Sequence, residues 1–468
     1  MKKLIPIIII SLMFHLSGCK LGPDFQKPDY RSPEKFRFDS MATDTIVNLQ
    51  WWKLFNDPVL DTLISSALRE NKDVLVAAAR IESARANIGF TNADQWPSLT
   101  YNVGATSGNF AGTKLPASSN NFFAYPQLSW EIGFWGKYRR MDEAAQADFL
   151  ASSYAMRTIQ LSLISTVAST YFELLSNKEK LFISENTLAS RDSGLLIIEE
   201  RYKWGIVAEI DLNQSQVQRA ISAAAVPQFK RAIAITESSL SILLGNNPQS
   251  LRTVARILNM EIPPDIPIGI PSQILERRPD IKQAEALLSS QNAQIGVAEA
   301  MRWPSLSLTG LLGVASTDLS SLTSGGLAWS AGGSLLGPLF QFGKNKKRAE
   351  IARFETEALL HQYESTVLNA FKEVEDALIS IETLKEELVA QEMRNKAALN
   401  ALMLSENRYS LGETSYLEVL DSQRQSFDAQ LDYTQTRMNL FSEYIKLYKA
   451  LGGGWLSPEE EQTANSVQ

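Results

Sequence analysis

Two periodicities take turns along this chain. Leu99, Tyr101, Val103 and Ala105 alternate with Ser98, Thr100, Asn102 and Gly104. The same step of two returns in Leu128, Trp130, Ile132 and Phe134, set against Gln127, Ser129, Glu131 and Gly133. A period of two puts one class of residue on each face of a β-strand. A polar, flexible stretch from Ser107 to Asn121 separates the two runs. Leu306, Leu308, Leu312 and Val314, then Trp329, Ala331 and Leu335, repeat the pattern less cleanly, because Leu311 and Leu336 fall on the polar phase. Runs of about 10 residues suit tilted strands that cross a bilayer. Taken alone, they suit a soluble sandwich equally well.

On either side of the strands the period becomes helical. Asp73 to Asp94 is alanine-rich, has no proline, and is stopped by Pro97. Arg139 to Trp204 contains no proline and one glycine, and Lys344 to Leu411 contains neither. At about 1.5 Å per residue each run reaches roughly 90–100 Å. Val367, Phe371, Val374, Leu378, Ile381, Leu384 and Leu388 step by threes and fours, as do Leu161, Ile164, Ala168, Tyr171 and Leu175. Such seams pack helices side by side at shallow angles. Both long runs break at turns, Tyr202–Gly205 and Tyr409–Gly412, and helix resumes from Asp211 to Leu244 and from Glu418 to Leu451. Gly205 and Gly412 are the turn glycines.

The chain matches itself at a spacing of 207 residues. Trp96-Pro97-Ser98-Leu99 recurs as Trp303-Pro304-Ser305-Leu306, and Gly136-Lys137 as Gly343-Lys344. Arg201-Tyr202 with Gly205 recurs as Arg408-Tyr409 with Gly412, Leu244-Gly245 as Leu451-Gly452, and Leu68 with Asp73 as Leu275 with Asp280. Matches in one register mean two copies of one unit, residues 68–245 and 275–452. Residues 246–274 form a proline-rich connector. The tail 453–468 is polar and acidic. Each copy reads helix, strand, loop, strand, long helix, turn, helix. Four strands cannot close a barrel, and a bilayer tolerates no open sheet edge. If the strands span, copies must associate: a trimer supplies twelve strands, and counting alone also allows a dimer with eight.

The N-terminus changes the picture. Lys2 and Lys3 precede a mostly apolar run from Leu4 to Leu16, too short for a mature span and suited to a secretory signal. Leu16-Ser17-Gly18-Cys19 looks like a lipobox, so residues 1–18 are read as a lipoprotein signal peptide and Cys19 as the acylated residue of segment 19–67. Cys19 is the only cysteine, which excludes an internal disulfide. Several acyl chains on it form a firm anchor. Lys20 follows where aspartate would signal inner-membrane retention, so outer-membrane sorting is expected. Removing the two lysines takes the formal charge from −7 to −9, which argues against a nucleic-acid partner. Only His361 remains after cleavage, and no metal cluster, thiol–histidine pair or phosphate loop is visible. The residues give no support for an enzyme, a metal or a cofactor beyond the covalent lipid.

These features resemble the outer-membrane factor family of tripartite efflux systems, the TolC-like proteins, and especially their lipoprotein branch. The resemblance rests on the lipobox followed by Gly22-Pro23-Asp24-Phe25 and Pro28, and on Trp51-Trp52 with Phe55-Asn56-Asp57-Pro58 and Leu60. It rests also on Ile266-Pro267 to Pro271, on Leu275-Glu276-Arg277-Arg278-Pro279-Asp280-Ile281, and on the two Arg-Tyr-x-x-Gly turns. It implies a mixed α/β membrane protein: a homotrimer with a 12-stranded outer-membrane β-barrel continuous with a long periplasmic α-helical barrel. It implies an exit duct for small toxic molecules such as drugs, docked to a periplasmic adaptor and an inner-membrane pump of the resistance-nodulation-division type.

In related channels an apolar and an acidic ring narrow the periplasmic tip, and the matching positions are Leu417 and Asp421. Glu418 matches a further acidic position in some members. Glu418 and Asp421 lie three apart and share a helix face. A threefold axis would gather six carboxylates, which attract cations and raise one another's pKa. The plainer reading has both acids favouring a helix start. The family's inter-helix hydrogen bond at the tip maps to Tyr409 and Asp211, and a neighbouring arginine constraint maps to Thr414, so that charge is missing. Two alternatives stay open: a channel for one-step protein secretion, and a non-conducting periplasmic scaffold.

Overall fold

The structure, a computed structural model, describes residues 20–33, 35–38, 51–108, 119–264, 271–324 and 327–453. The signal peptide, Cys19, the centre of the connector and most of the C-terminal tail lie outside the described residues. Two compact units emerge, one comprising Met1–Tyr30, Ala79–Tyr154 and Gln283–Ser365, the other Arg31–Ala78, Ala155–Lys282 and Thr366–Gln468.

The elements recur at the spacing seen in the sequence. Helices α1 (Pro58–Glu70) and α2 (Lys72–Ala93) precede β1 (Ser98–Gly108), β2 (Ser119–Ile132), α3 (Lys137–Lys203) and α4 (Glu209–Leu243). Then come α5 (Pro271–Arg277), α6 (Pro279–Ala300), β3 (Ser305–Ser316), β4 (Leu327–Leu336), α7 (Lys344–Ser410) and α8 (Tyr416–Ala450). Helices α3 and α7 each hold 67 residues, about 100 Å of rise.

Several expected bounds move. The first repeat is expected to begin at Leu68, after an N-terminal segment 19–67, and Leu68 lies inside α1. The helix starts earlier because Asp57 caps it, accepting from the Val59 and Leu60 N–H groups, with Pro58 at the first position. Ser107, Gly108 and Ser119 to Asn121, assigned to the polar stretch, belong to β1 and β2. Phe134 falls beyond the end of β2. Helix α4 runs through Pro227, as the expected helix from Asp211 to Leu244 does.

In the first unit, β1, β2, β3 and β4 form one antiparallel sheet in chain order. The register decides what each face carries. Leu99 opposes Leu128, Trp130 opposes Leu308, and Leu312 opposes Trp329, so one face is apolar across all four strands. Thr100 opposes Gln127, Ser129 opposes Thr309, and Ser307 opposes Ser334 on the other face. Pro126 lies in the interior strand β2 and has no N–H; the β2–β3 register skips Tyr125 and Pro126 there. Strands β1 and β4 are the free edges within the chain.

The N-terminal segment is pinned in this unit. Buried Arg140 donates Nε to the Leu21 carbonyl at 2.9 Å and Nη2 to the Gly22 carbonyl at 2.8 Å. The Leu21 N–H reaches the Trp135 carbonyl at 3.3 Å. Gly22 takes φ +85°, and a Cβ there would come within 2.5 Å of Gly296 Cα, so the segment's path requires glycine.

The second unit has an aromatic core. Trp51 stacks on Tyr448 at 5.0 Å and Phe172 on Phe441 at 4.8 Å, with Phe55 wedged against both phenylalanines. Tyr171, buried beside them, donates its hydroxyl to Asp57 Oδ2 at 2.5 Å. One carboxylate thus caps α1 and ties it to α3.

Candidate functional site

Both expected helical turns form, and backbone chemistry explains where they fall. Gly205 and Gly412 adopt φ +66° and +76°, a left-handed conformation costly for other residues. The Ile206 N–H bonds back to the Arg201 carbonyl and the Gly205 N–H to that of Tyr202, both at 2.9 Å. Glu413 and Gly412 do the same to Arg408 and Tyr409. These are paired Schellman caps, which satisfy carbonyls that the last helical turn leaves free.

Beyond the second turn, α8 presents the candidate residues. Val419, Leu420 and Tyr416 are buried with Ile198 of α3. Leu417, on the other side, is 57% exposed. It lines an open groove of about 370 Å³ between α4 and α8, together with Ile210, Val217, Asp421 and Arg424. Leu417 and Asp421 therefore share one surface. Asp421 accepts from Arg424 Nη2 at 2.6 Å and from Gln425 Nε2 at 2.5 Å. The Arg424 hydrogen bond holds the Asp421 carboxyl below the usual carboxylate range. Glu418 turns away to another partner set: Arg408 Nη1 at 2.8 Å, and the Thr414 hydroxyl.

The expected Tyr409–Asp211 hydrogen bond is absent among the described residues. Tyr409 Oη instead accepts from Arg201 Nη1 at 2.7 Å, with the guanidinium carbon 4.9 Å from the ring centroid. Asp211 lies in the first turn of α4. Thr414 leaves no charge at its own position, yet the tip is not without charged contacts, since Arg201 and Arg408 supply them. Sequence reading registered both arginines as repeat markers and missed their roles. The repeated Arg-Tyr dipeptide was the available signal.

A further residue went unnoticed. Arg191 of α3 is 3% exposed and, among the described residues, meets no carboxylate. It donates to the Gln218 carbonyl at 2.6 Å and Ser222 Oγ at 2.7 Å on α4, and to the Gln423 carbonyl of α8 at 3.3 Å. Its guanidinium carbon lies 5.2 Å from the Phe427 ring centroid. Burial pushes its pKa down to about 10, which still leaves it charged at neutral pH. No group of three or more His, Cys, Asp or Glu placed to hold a metal occurs among the described residues.

A tandem repeat, a two-faced antiparallel sheet and long paired helices ending in glycine-capped turns define a TolC-like outer-membrane channel. The chain belongs to the outer membrane efflux protein family, whose model matches residues 63–246 and 270–453. It is 33% identical over 461 residues to the probable outer membrane lipoprotein SilC of Salmonella typhimurium, covering 96% of this chain and 99% of that one. It is 32% identical over 469 residues to the cation efflux system protein CusC of Escherichia coli strain K12, covering 97% and 99%. The fold superposes on the outer-membrane channel OprN with a TM-score of 0.85 at 30% identity, covering 93% of this chain and all of that one. The protein is an efflux channel of the outer membrane.

Proposed function

We propose that three copies of this chain close their four-stranded sheets into one 12-stranded barrel and form the exit duct of a tripartite pump. The observation that carries this is the sheet itself. Its apolar face is exposed, with Tyr101 at 86% and Trp329 at 72%, its opposite face is mostly Ser, Thr, Asn, Gln and Gly, with Phe123, Tyr125, Leu311 and Leu336 among them, and both edges are unpaired within the chain. An apolar outer band and a polar lumen describe a membrane barrel wall, and unpaired edges in lipid demand closure. No helix among the described residues is long and apolar enough to cross a membrane, so the sheet is the element suited to span.

In this reading Leu417 forms the apolar constriction and Asp421 the acidic one, while Glu418 serves as the anchor of Arg408. Acylated Cys19 holds the N-terminus in the membrane. Exposed Trp204, Ile206 and Leu411 at the turns offer apolar contacts to a periplasmic adaptor beneath a pump of the resistance-nodulation-division type. The duct performs no reaction. It carries small toxic molecules, drugs and cations among them, that the pump has selected.

Cysteine pairs placed along β1 and β4 test closure directly. Oxidation should yield covalent dimers and then trimers, and nothing larger, because each chain offers one edge of each kind. A ladder that ends at dimers or continues past three would overturn the trimer.

A further inference from the structure

The two hairpins of the first unit share one register. Ser98 pairs with Ser129 in the first and Ser305 with Leu336 in the second, each residue 207 positions on from its mate. The chain joins the hairpins through β2 and β3, where Leu128 opposes Gly310. Carried forward by 207 on one side and back by 207 on the other, that pairing sets Leu335 of β4 opposite Val103 of β1. These strands are the free edges within the chain, so only a second copy can supply the partner. Leu335 and Val103 both belong to the apolar face, so the shifted register keeps like faces together.

The helices that flank the strands carry the same asymmetry. Gly296 of α6 is buried, and a Cβ there would come within 2.7 Å of Arg140 Cγ on α3 and 2.5 Å of the Leu21 carbonyl oxygen. Its repeat mate is Gly89 of α2, where a Cβ would meet nothing within 4 Å among the described residues. Glycine weakens a helix interior, and no contact described within the single chain calls for it at this place. The neighbouring residues agree. Ala293, Val297 and Ala300 of α6 are buried, whereas their mates Ala86, Phe90 and Ala93 are exposed, Phe90 at 68%. Ala144 and Ala147 of α3 are buried, and their mates on α7, Ile351 and Phe354, are 57% and 69% exposed. The faces buried on α3 and α6, which meet at Arg140 and Gly296, therefore lie bare on α7 and α2. The N-terminal segment pinned over Gly296 and Arg140 occurs once per chain. Ile351, Phe354 and Phe90 are larger than Ala144, Ala147 and Val297, and supply bulk where no such segment lies.

From this we infer that a second copy of this chain docks by the geometry that already joins the two repeats. Strand β4 of one copy pairs with β1 of the next, Leu335 opposite Val103. Helix α7 of the first copy seats Lys347, Ile351 and Phe354 on the α2 face of the next, formed by Ala86, Gly89, Phe90 and Ala93. Lys347 is the repeat mate of Arg140, so its stem makes the close approach to Gly89. Its ammonium is answered by Glu350 at 2.5 Å, as Arg140 is by Glu143 at 2.9 Å, so the contact brings in no unpaired charge. The inference rests on the proposed closure of the sheets into one barrel, and adds the register of that closure and the helix seat beside it. Two different surfaces meet head to tail, the arrangement that closes into a ring.

The test uses the purified mature protein in detergent. Leu335→Cys is combined with Val103→Cys, or with Leu99→Cys or Ser107→Cys, which lie four residues to either side on the same face, about 13 Å away. A disulfide needs Cα atoms within about 7 Å of each other. The combination with Val103→Cys should therefore crosslink copies about tenfold faster, or more, than either alternative. Separately, Gly89→Leu fills the seat, and Arg80→Leu places the same side chain on the opposite side of α2. Gly89→Leu should weaken each contact between copies about tenfold or more. That is read as loss of trimer on dilution by native mass spectrometry, with the helical circular dichroism of the protein unchanged. Arg80→Leu should keep the trimer of the parent. Fastest crosslinking through Leu99→Cys or Ser107→Cys, with trimers still forming, would overturn this register and leave the barrel reading standing. Gly89→Leu trimers as stable as the parent would overturn the helix seat. Chains that stay single and crosslink in no combination would strike the barrel reading itself, and the proposal with it.

Discussion

Arg191→Met removes a buried cation while keeping most of its apolar stem, and the geometry says what should loosen. Two of the three hydrogen bonds run from α3 to α4 and one, the longest, runs to the Gln423 carbonyl of α8. The Phe427 ring adds a second link to α8. A weak charge-assisted bond and a desolvated cation–π contact together hold α8 by about 2 kcal/mol. The equivalent position in the second repeat is Ala398, so each chain has this tether once. Gln423 and Phe427 sit on the helix that presents Leu417 and Asp421. Removing the tether should raise the ratio of open to closed dwell time by up to about 30-fold in planar bilayers. Overall stability should hold or rise, because an uncompensated buried charge is costly in itself. The informative combination is therefore faster opening in a trimer that melts no lower than the parent. Unchanged dwell times in a trimer of that stability would refute the tether.

Two further outcomes follow from the structure. Asp421 has its pKa lowered by Arg424, so its charge is present above the usual aspartate value and is lost only as pH falls through the lowered one. Cation preference, read from reversal potentials, should persist at about pH 4 in the parent and fade there in Arg424→Ala. Tyr171→Phe deletes the 2.5 Å bond to buried Asp57 and should cost about 1.5–3 kcal/mol, seen as a lower unfolding midpoint with normal ion selectivity; an unchanged midpoint would make the contact energetically idle.

Much of this fold was legible because it is built from local periodicity used twice. The alternation placed Leu99, Leu128, Trp130 and Ile132 on the face where the register puts them, and Leu311 and Leu336 on the polar side, with Phe134 falling beyond the strand. The proline-free runs predicted α3 and α7 to within a few residues. Losses came where one side chain sets the outcome. Helix α1 depends on the Asp57 cap, and a single aspartate before a proline is a weak signal among many.

At the tip the pairing that the family resemblance implied gives way to another. Glu418 and Asp211 occupy equivalent places, as do Arg408 and Arg201. Arg408 folds back to Glu418, whereas Asp211 is one methylene shorter and Arg201 crosses to Tyr409 instead. Buried Arg191 was invisible for a related reason: its partners are main-chain carbonyls, which no side-chain pattern records.

Single-channel recording of the purified protein, beside a variant carrying Asp421→Ala and Glu418→Ala, bears most directly on the duct and its gate. Small, discrete, cation-preferring openings are predicted, growing larger or losing their preference in the variant. A folded, membrane-inserted trimer that never conducts, in either form, would contradict the reading as a duct and favour a scaffold.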